Sequence, residues 1–319
     1  MFVFAFKMIK RTLYFGNPAY LQKRNSQIVV RLPEVEKNDL LPGDFKKEAI
    51  ATVPIEDVGV ILLDHQQVTI TQGLMSSLME ANVAVVVCNE THHPSGLFMP
   101  LDVHYIQQER FQAQLEASVP LKKQLWQQTV ESKILNQAAL LSVIGQDCEQ
   151  MLKYSKMVRS GDPDNIEARA SYYYWGNLFS AELNFSRKRD GDPPNNLLNY
   201  GYAILRALTA RCLVGSGLLP TVGIHHSNKY NAYCLADDIM EPYRPFVDRI
   251  VCSVVETTGK PPEELTLPLK KGLLDICSAD IELEGEKSPL MVGMQRTTAS
   301  LAQCFEGKRR KIAYPSFCQ

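Results

Sequence analysis

The chain has 319 residues, of which 45% are hydrophobic and 22% charged, and its 34 basic and 35 acidic side chains give a formal net charge of −1. This composition excludes wholesale disorder, a fibrous repeat and a uniformly basic coat for nucleic acid, and the length predicts about two domains. The eight cysteines are scattered without a C-x-x-C pair. That pattern favours reduced thiols in a cytoplasmic protein over zinc ligands or disulfides. No run of uncharged apolar residues is long enough to predict a membrane span.

The N-terminal third reads as a β-rich domain, which we place at residues 8–95. The apolar run MFVFAFK that precedes it is too short for the core of a signal peptide, and Met8 is expected to be the original start. Short runs rich in Val, Ile and Tyr predict strands. They are RTLYFG (11–16), QIVVRL (27–32), AIATVPI (49–55), VGVILLD (58–64) and VAVVVCN (83–89). One helix is predicted near 72–82, and a linker or last turn at 91–100.

The character of the chain then changes to long stretches of helix-forming residues. Helices are predicted over 105–145, divided at Pro120, and over about 165–185 and 195–216. We therefore predict an all-α domain over 101–305, followed by a basic, flexible tail over 306–319. The expected fold class is α+β, with a small β-rich domain before a larger helical one.

The densest polar segment is VGIHHSNKYNAYCLADDIMEPYRP, residues 222–245. His225 and His226 lie close in sequence to three carboxylates, and oxygen ligands with one imidazole suit Mg²⁺ or Mn²⁺. Neighbouring residues of a helix point about 100° apart, so only one of the two histidines is expected to bind an ion. Asp238 and Glu241 share a helical face, although the following proline disfavours a helix there. The alternative is a solvated turn followed by a capped helix.

A second signal is Glu167 in DNIEARASYYYWGNLF, where small residues flank the carboxylate on its helical face. The residues themselves leave a simpler alternative open, because Asp164 with Glu167 three positions later fits a capping box. The third signal is the basic run Arg187-Lys188-Arg189, which precedes the asparagine-rich NNLLN. Such runs are usually solvated, but Asn and Arg together often contact phosphates.

Three segments taken in order carry a resemblance to a known family. They are the glutamate in IEARASYYYW, the segment NNLLNYGYAILRA, and GLLPTVGIHHSNKYNAYCLADDIMEPYRPFVD. With them the chain resembles, over nearly its whole length, the CRISPR-associated spacer-acquisition endonuclease, the integrase found across CRISPR systems. The resemblance is to the type II form, II-C within it.

The resemblance implies a metal site made of Glu167, His226 and Glu241. His225 and Asp238 are secondary candidates near the metal, from the polar segment itself. It implies a DNA integrase and endonuclease that uses Mg²⁺ or Mn²⁺ and joins a 3′-hydroxyl to a phosphodiester at the CRISPR repeat. The candidate DNA contacts are Arg187, Lys188, Arg189, Asn199 and Arg206. Asn199 and Arg206 could equally contact the metal ligands and hold them in position, without touching DNA.

The implied partners are double-stranded DNA, both as spacer precursor and as repeat, and a second copy of the chain. The N-terminal domain would make the homodimer. Two such dimers would bracket a dimer of a small CRISPR-associated partner, and a type II effector nuclease would select DNA in the prokaryotic cytoplasm. Two other readings compete with this one. A helical metal phosphohydrolase would want a contiguous His-Asp pair, which the sequence lacks, and a non-catalytic DNA-binding scaffold would not need the acidic and histidine positions.

Overall fold

The computed structural model describes residues 10–38, 42, 44, 46, 49–180 and 183–317, so the apolar start lies outside the described residues. The chain divides into two compact units, Met1–Val103 and His104–Gln319. Over the described residues, none of the helices combines the length and apolar character needed to cross a bilayer.

The first unit contains two four-stranded sheets. Its strands are β1 (Arg11–Phe15), β2 (Ala19–Arg24), β3 (Gln27–Arg31), β4 (Ala51–Pro54), β5 (Val58–Leu63), β6 (Val68–Ile70), β7 (Ala84–Cys88) and β8 (Pro94–Phe98). One sheet has the order β1-β5-β7-β8, with only β8 antiparallel, and the other has the order β4-β3-β2-β6. β5 is buried along almost its whole length, as expected of a central parallel strand. The described part of the unit also contains a short helix α1 (Pro33–Glu36) and α2 (Gln72–Glu80), and Leu74 and Leu78 of α2 lie in its core.

Sequence patterns miss three of these strands. β2 ends in exposed charged residues and β6 is only three residues long, so neither gives a strong apolar signal. The predicted linker at 91–100 is wrong where β8 runs, at Pro94–Phe98. β8 is an edge strand that begins with proline, one of the few strand positions that proline tolerates. The boundary between the units falls later, after Val103.

The second unit is mainly helical. Its helices are α3 (Gln107–Leu115), α4 (Val119–Val143), α5 (Glu149–Met157), α6 (Ile166–Leu178), α7 (Asn195–Gly215), α8 (Cys234–Met240), α9 (Arg244–Thr258), α10 (Leu267–Leu274) and α11 (Leu290–Phe305). α7 is buried on almost every face. The α+β class predicted from sequence is confirmed, although this unit also holds a hairpin of β9 (Asp280–Leu283) and β10 (Glu286–Pro289) and is therefore not purely helical.

The C-terminal segment is packed against the second unit over its described residues, 306–317. The Tyr314 hydroxyl lies 2.7 Å from the Thr129 hydroxyl oxygen, and the Phe317 ring stacks on Phe246 with centroids 4.3 Å apart. The flexible tail predicted from sequence is therefore wrong for these residues. The prediction relied on the basic run in this segment. The buried apolar side chains that follow the run hold the segment in place.

Candidate metal centre

One long helix, α4, supports the site. Ser118 caps its start by accepting a hydrogen bond from the Leu121 amide at 3.3 Å, and Pro120 lies in its first turn. Buried polar and aromatic side chains project from α4, among them Trp126, Lys133 and Asn136. A buried lysine in an apolar stripe is rare unless it is paired, so its partners matter.

Lys133 bridges two carboxylates. Its Nζ lies 2.6 Å from Glu167 Oε1 and 2.7 Å from Glu241 Oε2. Two oxygens that touch the same nitrogen cannot be farther apart than the sum of these distances, about 5.3 Å. The structure thus brings together two acids that lie on different elements and 74 residues apart in sequence, counted from 167 to 241.

Glu167 reaches this position because another acid caps its helix. Asp162 accepts hydrogen bonds from the amides of Ile166 and Glu167, both at 2.9 Å. Asp164 instead pairs with Arg159 on the surface. The capping box considered from sequence is therefore wrong. Because a residue before the helix satisfies its first amides, the Glu167 carboxylate is free to point toward α4.

Glu241 opens a short 3₁₀ turn, Glu241–Tyr243, between α8 and α9. Pro242 is accommodated there, since a proline in a first helical turn loses no backbone hydrogen bond. The Asn136 side chain donates to the Pro242 carbonyl at 2.7 Å and fixes the turn against α4. Glu241 Oε1 is paired with Arg244 at 2.9 Å. Within the described residues, Glu241 Oε2 is buried and receives no well-directed hydrogen bond, although the lysine nitrogen is near.

His226 is held by a buried carboxylate. Asp238, which is fully buried, lies with Oδ1 2.5 Å from His226 Nδ1. The same carboxylate accepts from the amides of Ile224, His225 and His226 at 2.7, 3.0 and 3.2 Å. An aspartate at this distance makes Nδ1 the protonated nitrogen, which leaves Nε2 as the free acceptor. His225 instead stacks on Trp126, with ring centroids 4.1 Å apart and planes 2° from parallel.

The charges of the site act on one another. Burial alone would lower the pKa of the Lys133 ammonium, but the Glu241 and Glu167 carboxylates raise it above its usual value. Burial alone would raise the pKa of Glu241, but a neighbouring guanidinium and the Lys133 ammonium lower it. The hydrogen bond to Asp238 raises the pKa of His226, and Glu241 and Glu167 add to the effect. Glu167 and Glu241 are therefore close enough to His226 for their charges to raise its pKa.

The donor set fits a divalent cation. Two carboxylates and one imidazole nitrogen are a ligand set that suits Mg²⁺ or Mn²⁺. The buried oxygen of Glu241 without a well-directed hydrogen bond is the kind of atom that a cation would satisfy. Over the described part of the chain, no three His, Cys, Asp or Glu side chains are already gathered around one point. The ammonium of Lys133 stands between the two acids.

Behind the site lies a second charged network. The Arg244 guanidinium, which pairs with Glu241, stacks over the Tyr202 ring at 4.6 Å. Tyr174 and Tyr202 both donate hydrogen bonds to the buried Asp248 carboxylate. Burial raises the pKa of Asp248 to about 6, against the lowering effect of the two tyrosine hydroxyls. The network fixes Arg244 and through it the orientation of Glu241.

Comparison with known proteins identifies the family of the chain. A family model described as CRISPR associated protein Cas1 matches residues 13–274. The CRISPR-associated endonuclease Cas1 of Neisseria meningitidis serogroup C (strain 8013) is 35% identical over 262 residues, which cover 82% of this chain and 85% of that protein.

The chain belongs to the Cas1 family.

Two solved structures share the Cas1 fold. A casposase bound to integration product has a TM-score of 0.76 at 18% identity and covers 95% of this chain and 92% of its own. A Cas6-RT-Cas1–Cas2 complex has a TM-score of 0.69 at 19% identity and covers 95% of this chain and 36% of the other. The family and the enzyme class predicted from sequence, a CRISPR-associated endonuclease, are confirmed.

The candidate DNA contacts of this Cas1 chain fall into two groups. Arg187 donates to Asn199 Oδ1 at 2.8 Å and stacks over a tyrosine ring, while Asn199 donates to the Arg189 carbonyl at 2.6 Å. Arg206 pairs with the buried Asp237 at 2.6 Å. None of these partners is a candidate metal ligand, so the contacts do not decide between DNA contact and anchoring of the ligands for Asn199 and Arg206, which both stay predictions. Arg187 is engaged with its neighbours in the same way.

The side chains of Lys188 and Arg189 are exposed, which leaves them as the stronger candidates for phosphate contact.

Sequence reasoning missed the α4 residues of the Cas1 site. Lys133 and Asn136 lie in VESKILNQAALL, a stretch read only as helix former. The available signal was periodicity, because Trp126, Val130, Lys133 and Gln137 recur at spacings of four, three and four along the apolar face. A lysine on that face predicts a buried partner of opposite charge.

Proposed function

We propose that this Cas1 chain is a metal-dependent DNA endonuclease and integrase that inserts short DNA fragments into the CRISPR repeat. Cas1 nucleases are a class that generally depends on divalent metal. The observation that carries the proposal is the convergence of Glu167 and Glu241 on one point of α4, in the same electrostatic neighbourhood as His226.

The reaction is a transesterification. The 3′-hydroxyl oxygen of the incoming fragment forms a bond to a phosphorus of the repeat strand, and the bond from that phosphorus to its 3′ oxygen breaks. The proton leaves the attacking hydroxyl and a proton reaches the departing oxygen, so one phosphodiester replaces another and no high-energy cofactor is needed. A bound Mg²⁺ or Mn²⁺ would lower the pKa of the hydroxyl and neutralise charge on the phosphate.

The residues of the chain have separate parts in this proposal. Glu167, Glu241 and Nε2 of His226 would hold the cation. Asp238 keeps the proton of His226 on Nδ1, because it accepts from that atom and is itself fixed by three amides. Arg244 keeps one Glu241 oxygen turned away, which leaves the other for the ion.

DNA would reach the centre over an exposed basic surface. We assign Lys188 and Arg189 to phosphate contact because both are exposed, whereas the Arg187 guanidinium already donates hydrogen bonds to two neighbouring asparagines. Binding through phosphates releases counterions, so affinity should fall steeply with salt.

Partners follow from the family. The casposase neighbour is bound to an integration product, and another neighbour is a complex that contains Cas1 and Cas2. We propose that this chain likewise binds double-stranded DNA and a Cas2-like small partner, four copies of the chain with two of the partner. We also propose that the β-rich first unit forms the homodimer. Selection of DNA by a type II effector nuclease and a cytoplasmic site of action remain predictions.

Strand transfer tests the proposed ligands. Glu167→Gln, His226→Ala and Glu241→Gln should each abolish joining of a labelled duplex to a repeat-bearing plasmid with Mn²⁺, while the gel-shift affinity for DNA stays near wild type. The temperature of unfolding should fall for Glu241→Gln, because the buried Lys133 and Arg244 lose the carboxylate that they share. Each variant removes a ligand without removing exposed basic residues, so binding and chemistry separate.

Matched controls come from the surface. Glu149 is an exposed glutamate on α5, and His93 is a histidine of the first unit. Glu149→Gln and His93→Ala should join DNA at the wild-type rate. A normal joining rate in any of the three ligand variants would refute the assignment of that residue.

A further inference from the structure

The Lys133 ammonium is held in the space between the proposed metal ligands. It lies within hydrogen-bonding distance of one oxygen from Glu167 and one from Glu241, at 2.6 and 2.7 Å. An octahedral Mg²⁺ needs its oxygens at about 2.0–2.1 Å. Two cations at such distances from the same pair of oxygens would repel strongly, so the ammonium and an ion cannot share these two oxygen atoms.

The two cations of the site differ in how firmly they are fixed. The Arg244 guanidinium is planar, stacked on Tyr202 and paired with Glu241, although its side chain is 25% exposed. Lysine carries its charge on a flexible stem of four carbons and makes no planar stack here. The Lys133 side chain is itself only 11% exposed, but it touches Glu167, whose side chain is 23% exposed, so this contact lies toward the open side of the site. Lys133 is the cation that can move away, and Arg244 is the one that stays.

We propose that Lys133 competes with the divalent cation for Glu167 and Glu241, so that its ammonium must leave both carboxylates before an ion binds between them. The inference rests on the proposed metal-dependent function. Lys133 is then a positioning residue: it holds the two acids together without an ion and sets how much metal is needed to replace it. If Lys133 had only a structural role, the opposite result would be expected, because removing it would loosen the site and weaken metal binding.

The test compares the full-length wild type with Lys133→Met, Lys133→Arg and Lys153→Met by calorimetric titration with Mn²⁺ at pH 8. Met keeps the length of the stem without the charge, and Arg keeps the charge. Lys153 is an exposed lysine of α5 that serves as the matched control. We expect Lys133→Met to bind Mn²⁺ at least tenfold more tightly, about 1.4 kcal/mol. Lys133→Arg should not gain affinity, and Lys153→Met should match wild type.

A second measurement does not depend on the stability of the variant. In a crystal structure of the wild type with Mn²⁺, the Lys133 nitrogen should no longer lie within hydrogen-bonding distance of both Glu167 and Glu241. A bridging ammonium beside a bound ion would overturn the proposal. So would equal or weaker Mn²⁺ binding by a folded Lys133→Met.

The proposed function fails in a different way. If wild type and Lys133→Met both bind no Mn²⁺, the metal site itself is wrong and the competition falls with it. If wild type binds Mn²⁺ and Glu167→Gln abolishes that binding, the site stands, and the affinity of Lys133→Met alone decides the competition.

Discussion

Replacing Asp238 by Asn should damage both the fold and the metal centre. The carboxylate accepts three backbone amides and the proton of His226 Nδ1 in a fully buried position. An amide keeps one acceptor oxygen but turns an NH₂ group toward donors. Hydrogen bonds to a charged group contribute about 1.5–3 kcal/mol each, and breaking a buried network costs about 3–5 kcal/mol in all.

We therefore expect the Asp238→Asn variant to lose about 3 kcal/mol of stability. For a domain of this size that loss lowers the unfolding temperature by about 6–12 °C. Trp126 and Trp175 are the two tryptophans of the chain and both lie in the second unit, so their fluorescence reports on that unit alone. Mn²⁺ affinity should fall about 10–100-fold, because the supporting partner of a histidine ligand is lost.

Asp190→Asn is the matched control, because Asp190 is exposed in the loop before α7. It should unfold with wild-type fluorescence and bind Mn²⁺ normally. An Asp238→Asn protein that unfolds within about 2 °C of wild type and keeps its metal affinity would refute the reasoning, since it would show that neither the loop nor the histidine depends on this carboxylate.

Three further predictions concern the surroundings of the site. Asn136→Ala removes two hydrogen bonds to buried carbonyl oxygens, at 2.7 and 2.9 Å, and should destabilise the second unit by about 2–3 kcal/mol, measured by urea unfolding. Asp248 has a raised pKa in the folded protein, so its contribution to stability is largest at acidic pH and is lost as the pH rises through about 6. Wild type should lose about 2 kcal/mol relative to Asp248→Asn between pH 4.5 and 7.5, the part of the effect that lies above pH 4.5. Lys188→Ala should weaken DNA binding and reduce its salt dependence without changing stability, whereas Arg187→Ala should lower the unfolding temperature.

Each of these has an outcome that contradicts it. An Asn136→Ala protein as stable as wild type would mean that the turn at Pro242 holds itself without α4. A constant stability difference between wild type and Asp248→Asn across the pH range would mean that the buried acid keeps an ordinary pKa. An unchanged salt slope for Lys188→Ala would remove that residue from the DNA surface.

The second unit was the easier one to predict from sequence, because helices there repeat their apolar positions over many turns. α7 was placed within a residue at its C-terminal end, since Leu198, Leu205, Leu208 and Cys212 mark one continuous buried stripe. Strand prediction failed where the local pattern was weak. β8 carries a proline, a serine and a glycine, and it forms a strand because β7 offers it a partner in the sheet.

Local sequence also could not decide which acid caps α6 or which acid supports His226. Asp162 and Asp164 are both plausible caps by spacing, and the turn geometry gives the role to Asp162. Asp238 was a secondary candidate ligand by spacing alone, but its carboxylate is engaged with a backbone loop and a histidine. Such roles depend on which atoms the folded backbone aims at each oxygen, which spacing does not record.

The sum of charges gives a reason for the position of Lys133. The site gathers three carboxylates, on Glu167, Glu241 and Asp238, against Lys133 and Arg244, so it carries a net charge of −1 when the histidine is neutral. With neither the lysine nor a bound cation that charge would be −2 in a largely buried place, which favours either a protonated acid or a separated pair. The lysine thus lets the two acids stay ionised and close together, and a centre that must accept both a divalent cation and a phosphodiester gains from acids that are already in place.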